Sequence, residues 1–349
     1  MRFSIFYLLI VALFASCGIQ HNAPSVLNPN RQIPPRTTIA FVDQFGAFYP
    51  NDWRSVYGIP PRNGKKNAYS LSKLAEEKSL TNDLVKFEQE YLRLLKKHLS
   101  NKKRVFVLIH GFNAKAKEVT KNYELIQSKL NLTTSDEVIQ FYWDGLYTKN
   151  PLSSLKTWFT ASDYSQYAGK FALRKILNNI SNKEVYLISH SRGASVILSA
   201  LSSAPIDSVK MTDIVEHHNI DTMSLQHDLI RNQRNKIYAI ALAPAIGKSD
   251  FEINHEDSIY NVSFTPQLMA FHISTNKDDL MLKKVVGWLS NKLNSTDLGY
   301  KSDSFDKLAS SYKFLKRSDF SGMRSHDFTR YINNPNFNSI LKTYKINKK

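Results

Sequence analysis

Cysteine occurs once in the 349 residues, at Cys17, so no intramolecular disulfide can hold this fold. Glycine and proline are sparse, at 12 each, and neither a low-complexity tract nor a convincing internal repeat is present. Long disorder and a solenoid are thereby disfavoured. Acidic side chains are few, with 30 Asp and Glu against 47 Lys and Arg, which gives a formal charge of +17 and a pI near 9.6. The lysines are scattered in pairs such as Lys65-Lys66, Lys96-Lys97 and Lys102-Lys103. No helix-turn-helix, zinc-finger or RNA-binding signature accompanies them, so nucleic acid is not an expected partner. Two readings of the charge stay open: a solvated basic surface, or attraction to an anionic membrane or envelope polymer. What is plentiful is core material. Hydrophobic residues make up 42% and aromatics 12%, enough for one large α/β domain or two small ones.

The one long apolar run is Ile5–Ala15, behind Arg2. A lasting membrane helix needs about 20 apolar residues, so this run reads as an export signal. It ends in Phe14-Ala15-Ser16-Cys17, which resembles the lipobox of bacterial lipoproteins, where small residues precede a lipidated cysteine. The resemblance implies lipidation at Cys17 and a protein held at the bacterial cell envelope by a lipid anchor. Phe14 departs from the usual leucine, and an ordinary secretory signal is the competing reading. Residues 18–36 are polar and proline-bearing, as expected of a tether, and one folded domain is expected over 37–349.

Within that domain the apolar pattern alternates between two periods. Thr38–Val42, Arg104–Ile109, Glu137–Trp143, Val185–Ile188, Lys236–Ala243 and Leu268–Ile273 read as strands, most of them continuously apolar. Leu84, Phe87, Tyr91, Leu94 and Leu95 give an amphipathic helix over 82–98, and a second helix is expected over 164–177. Strands alternating with helices predict a mainly parallel sheet covered on both faces. Insertions are expected near 204–235 and 244–267. Segments 145–162 and 244–266 leave strand ends and could roof a site. Phe48, Tyr49 and Trp53 are expected in the core.

Two strand ends carry chemistry. Ser189-His190-Ser191-Arg192-Gly193 joins a strand to the apolar helical run around Val196, Ile197, Ala200 and Leu201. It is a near match to G-x-S-x-G, whose central serine sits on a strained turn that lifts its hydroxyl above the sheet. The plainer reading is a serine capping a helix. About 80 residues earlier His110-Gly111-Phe112-Asn113 ends another strand. Glycine there permits a tight turn, after which an amide N–H can face an oxyanion. Later come Asp278-Asp279-Leu280-Met281, after the strand ending at Ile273, and Ser325-His326-Asp327-Phe328 near the C-terminus. His272 lies inside its strand as a packed residue. His190 adjoins the serine but should point away from it. His217, His218 and His227 sit on a polar segment, where surface histidines are commoner than a metal site.

Taken in order, H-G-F-N, S-H-S-R-G, D-D and S-H-D-F resemble the α/β-hydrolase superfamily of serine hydrolases, closest to its esterase- and lipase-like members. The likeness spans roughly 37–335. It implies Ser191 as nucleophile, His326 as base and Asp278 as orienting acid, with Asp279 as the alternative. Asp278 is preferred because Leu280-Met281 then occupy the place of an apolar pair that often follows the acid. The amides of Phe112 and Arg192 are the implied oxyanion donors. Ser189 replaces the usual first glycine, and Arg192 stands where a smaller or apolar residue is commoner. Its guanidinium could meet an acidic substrate group or simply pack along the sheet edge. The expected reaction is acyl transfer on an ester, thioester or amide of a small-molecule or lipid substrate, with no metal or organic cofactor. The rival reading is a non-catalytic envelope protein that uses the fold as a binding platform.

Overall fold

The computed structural model describes residues 33–50, 75–206, 230–255, 258–283 and 296–348. Cys17, Trp53, His217, His218 and His227, and the lipobox itself, lie outside the described residues.

The described residues hold ten strands: β1 (Thr37–Val42), β2 (Phe48–Tyr49), β3 (Arg104–Ile109), β4 (Asp136–Tyr142), β5 (Glu184–His190), β6 (Lys236–Leu242), β7 (Glu252–His255), β8 (Ser258–Asn261), β9 (Leu268–Thr275) and β10 (Leu315–Asp319). The helices are α1 (Thr81–Leu99), α2 (Ala116–Lys129), α3 (Pro151–Tyr167), α4 (Arg174–Asn178), α5 (Gly193–Leu201), α6 (Ser302–Ser311), α7 (Phe328–Asn333) and α8 (Pro335–Thr343), with a π-helical segment, Ala168–Leu173, joining α3 to α4. Eight strands form one sheet in the order β10-β9-β6-β5-β3-β4-β1-β2. All its neighbours are parallel except β1 and β2. The fold is therefore α/β, with a mainly parallel sheet and helices on both faces.

The strand sequences explain that placement. Side chains alternate across a sheet, and here both faces are covered. Val105, Val107, Ile109, Val185 and Leu187 join one core with Ala161, Ala172, Leu173, Val196 and Ile197. Phe106, Leu108, Tyr186 and Ile188 join the other with Val119, Tyr123, Ile126, Tyr331, Phe337 and Ile340. Strands buried on both sides must be apolar at every position, which is why β3 and β5 read as unbroken runs. Phe48 and Tyr49 are buried as expected, in the short antiparallel β2.

Chain order and strand order then fix where chemistry can occur. From β3 the chain moves outward to β4, and it returns to the other side of β3 for β5. The crevice at the carboxyl ends of β3 and β5 is the point where that direction reverses, the usual place for a ligand in an open α/β sheet. Ile109 pairs with Ser189, Ser189 with Ala241, and Ala241 with Ile273. The turns after β3, β5, β6 and β9 therefore emerge along one edge.

The two segments that leave strand ends carry structure of their own. Much of 145–162 is not a loop but enters α3, because that stretch packs Ala161 and its neighbours against α5. The segment after β6 holds the antiparallel hairpin β7–β8, and Ser203 N donates to Ser263 O (2.8 Å), so its end returns to the far end of α5.

Candidate active site

Strand β5 ends at His190, and α5 starts at Gly193, leaving two residues for the turn. So tight a reversal puts Ser191 at φ +51°, the left-handed region that an L-residue enters at a cost. The Ser191 amide donates to Leu242 O (2.9 Å) of β6, and its carbonyl accepts from Ala245 N (3.1 Å), so both neighbours hold the strained conformation. Gly193 must be glycine because α5 passes directly over β3: a Cβ there would lie 2.7 Å from His110 O and 2.9 Å from Ile109 O. The same closeness brings the H-G-F turn against the serine. A Cβ on Gly111 would stand 2.8 Å from the Ser191 Cβ.

The turn after β3 is clasped by β4. His110 Nδ1–H donates to Gly111 O (2.7 Å), while its Nε2 accepts from Trp143 N (3.3 Å) and Trp143 Nε1 donates to His110 O (2.8 Å). Burial holds the His110 imidazole down to about 4, so it is neutral and fixed in one tautomer. Asn113, also at positive φ, accepts from Thr148 N through Oδ1 (2.7 Å). The amides of Phe112 and Arg192, the two expected oxyanion donors, follow Gly111 and Ser191 directly and donate to no other described residue.

The other two side chains come from distant parts of the chain. Ser191 Oγ donates to His326 Nε2 (2.8 Å), and His326 Nδ1–H donates to Asp279 Oδ2 (2.8 Å). The directions follow from chemistry: an ionised carboxylate only accepts, so Nδ1 carries the proton and Nε2 is left to receive the hydroxyl. His326 immediately precedes the N-cap of α7, where the Asp327 side chain accepts from Arg330 N. One turn into that helix, Tyr331 donates its hydroxyl to Asp279 Oδ2 (2.9 Å) and accepts from Asn276 Nδ2 (2.9 Å). Helix α7 thus delivers the imidazole and braces the carboxylate that faces it.

The acid beside His326 is Asp279, and the preference for Asp278 is corrected. Neighbouring residues in the turn after β9 point opposite ways. Asp278 Oδ2 is turned outward to Gly322 N (2.8 Å). Asp279 is fully buried, and its Oδ1 accepts from the amides of Met281 (2.9 Å) and Leu282 (3.2 Å). Burial alone would raise its pKa. The hydrogen bonds and charge of His326, then Tyr331 and the Leu282 amide, outweigh that and hold the carboxyl below its ordinary value.

His190 makes no hydrogen bond to Ser191 Oγ; its ring lies 4.9 Å from that of His326, and it has a structural task. Its Nε2–H donates to His326 O (2.9 Å), and its ring stacks on Phe328 at 4.5 Å. Burial, then the nearby His326, push it well below the ordinary histidine value, so it stays neutral. His272 lies within β9, bonded to Ser318 Oγ (2.8 Å) and Tyr344 OH (3.2 Å). Tyr331, Asn276 and the support role of His190 were not foreseen, and the five-residue step from His326 to Tyr331 is not the i+3 or i+4 spacing that would place two side chains on one helix face. Among the described residues no cluster of three or more His, Cys, Asp or Glu could hold a metal ion.

The model of a family described as alpha/beta hydrolase of unknown function (DUF900) matches residues 87–313, from within α1 to just past α6. The match takes in the H-G-F turn, Ser191 and Asp279 and ends before His326. None of the curated proteins matches the chain.

Proposed function

The chain belongs to this α/β-hydrolase family, and on that footing we propose that it is a serine hydrolase working through an acyl-enzyme on an ester-type bond. The observation that carries the reading is the hydrogen-bonded run Ser191–His326–Asp279, with the serine on a strained turn. In this mechanism Ser191 Oγ attacks the substrate carbonyl while His326 Nε2 takes its proton. Asp279 keeps Nδ1 protonated and steadies the imidazolium. The Phe112 and Arg192 amides hold the tetrahedral oxyanion, and one such donor is worth about 10²–10³ in rate. His326 then protonates the leaving group, and water releases the acyl group by the same route in reverse. Ester, thioester and amide substrates fit this chemistry, and neither a metal nor an organic cofactor enters it.

Fluorophosphonate labelling tests the reading. The parent protein should be labelled and should hydrolyse p-nitrophenyl esters, whereas Ser191→Ala should do neither while keeping its fold. An unlabelled, inactive but folded parent would favour the binding-platform reading.

The same proposal includes location. The sole cysteine, Cys17, directly follows the short apolar run behind Arg2, which supports lipidation there and anchorage at a bacterial envelope membrane. Metabolic labelling with a clickable palmitate analogue should tag the parent and not Cys17→Ser. An untagged parent whose mature N-terminus lies beyond Cys17 would refute the anchor and leave the site assignments untouched.

A further inference from the structure

Two buried arginines lie against the nucleophile turn and its helix, and they are of different kinds. Arg174, 4% exposed, donates from Nε to Ala200 O (3.1 Å) and from Nη2 to Ser199 O (2.7 Å) and Ser202 O (2.7 Å). It ties off the last carbonyls of α5, a structural use that accounts for its burial. Arg192, next to Ser191, is 1% exposed, yet its Nε and Nη2 have no hydrogen-bond partner. Its guanidinium lies 4.4 Å over the Trp158 ring, and Trp158 Nε1 is likewise buried without a partner. Trp158 meets the Phe112 ring edge-on at 4.8 Å, so the pair lies beside the turn that abuts the Ser191 Cβ.

Arginine and the indole N–H can only donate. Three buried donors with no acceptor among them call for one from outside, and a guanidinium fork best fits a planar or tetrahedral oxyanion. Among the described residues no carboxylate forms an ion pair with Arg192. Asp250 and Asp163 feel its charge, but Asp250 Oδ2 is engaged by Gly247 N (2.7 Å). Burial pushes the guanidinium down to about 10, which leaves it charged at neutral pH. A buried charge that is neither paired nor neutralised is costly, and binding an anion would relieve that cost.

We propose that Arg192 and Trp158 form a subsite for an anionic oxygen group, a carboxylate or a phosphate, carried by the substrate beside its scissile carbonyl. This deepens the serine-hydrolase reading and, as a statement about substrate, rests on it. The ring of Trp158 supports the guanidinium plane, and its Nε1–H supplies a further donor to the same anion.

The full chain can be tested with a matched pair of substrates, p-nitrophenyl butyrate and p-nitrophenyl hemiglutarate, the second bearing a carboxylate. The ratio of their kcat/KM values should fall by about 10- to 100-fold in Arg192→Met, the loss expected for a charge-assisted hydrogen-bonded pair. Arg192→Lys should fall less, because it keeps the charge but loses the fork, and Trp158→Phe should fall several-fold. Trp158→Phe keeps the ring and carries the test alone if Arg192→Met fails to fold. A second readout needs no turnover. Ser191→Ala protein, titrated calorimetrically with glutarate and with inorganic phosphate, should bind at least one saturably and lose it when Arg192→Met is added. The anion that binds identifies carboxylate or phosphate as the source. An unchanged ratio together with no anion binding overturns the subsite. Anion binding that depends on Arg192, in a parent that turns over no ester, overturns the hydrolase reading and leaves the subsite standing.

Discussion

The carboxylate of Asp279 is fully buried and still held below its ordinary pKa, because four groups spend hydrogen bonds on it. Replacing it by asparagine keeps the shape and removes the fixed demand for a proton on His326 Nδ1. The imidazole can then present its N–H to Ser191, the wrong way round for a base. Asp279→Asn should therefore lower kcat by about 10⁴-fold, whereas Asp278→Asn, which only weakens the bond to Gly322 N, should stay within severalfold of the parent. Rates on one p-nitrophenyl ester decide it; a reversed order would name Asp278 as the acid. Ser191 allows a second comparison. Its φ of +51° penalises any side chain, so Ser191→Gly should be more stable than Ser191→Ala by about 1 kcal/mol. Equal denaturation midpoints would mean the turn is unstrained.

At the scale of elements, α5 and α7 carry the site, and they differ in how they announce themselves. The elbow helix is legible because two constraints are local: a small residue must stand where α5 crosses β3, and the strand before it is buried on both faces. Gly193→Ala should accordingly cost about 1–3 kcal/mol through overpacking, with activity falling as the turn shifts; an unchanged urea midpoint would deny the close approach. Strands β3, β5 and β6 were readable for the same reason of double-sided burial. Strand β10 was not, since Leu315-Lys-Arg-Ser-Asp319 lies at the sheet edge with three of five residues exposed and looks like a loop. The helix expected over 164–177 is the end of α3, the π segment and α4 in succession. Helix α2 shows a stripe at Val119, Tyr123 and Ile126, the i+3 and i+4 spacing of a buried helix face. The choice between Asp278 and Asp279 could not be made from spacing, because adjacent turn residues face opposite ways and only the position of α7 selects one. Tyr331 and Asn276 were hidden likewise, since their role exists only once α7 lies beside β9.

For the molecule as a whole, acid and base resistance depend on buried groups of opposite habit. Burial raises Asp43 from 3.8 to about 7, against the hydrogen bonds it accepts at Oδ1 from Ala47 N and Phe45 N (2.9 Å each) and with Asp144 adding repulsion. Burial lowers His272 from 6.5 to about 4, with Lys316 acting in the same direction. At Asp43 the folded chain keeps a proton that the unfolded chain has released between pH 3.8 and about 7. Stability from this site therefore falls as pH rises through that window and stays lost above it. At His272 the unfolded chain gains a proton below 6.5 that the folded chain refuses until about 4, so stability from this site falls as pH drops through that window. The two slopes oppose one another in the parent and partly cancel, so single variants are needed to separate them. Asp43→Asn keeps an oxygen for both amides and removes the titration. Its unfolding free energy should exceed the parent's at pH 8 by an amount on the order of a few kcal/mol, and the advantage should shrink steadily to little by pH 4. His272→Gln can still bond Ser318 and Tyr344 and should show the reverse, a gain over the parent that grows as pH falls from 6.5 to 4. Urea unfolding at pH 4.5, 6 and 8 reads both. If the Asp43→Asn difference is the same at pH 4.5 and pH 8, the buried carboxyl of Asp43 does not hold its proton, and the opposition of slopes disappears with it.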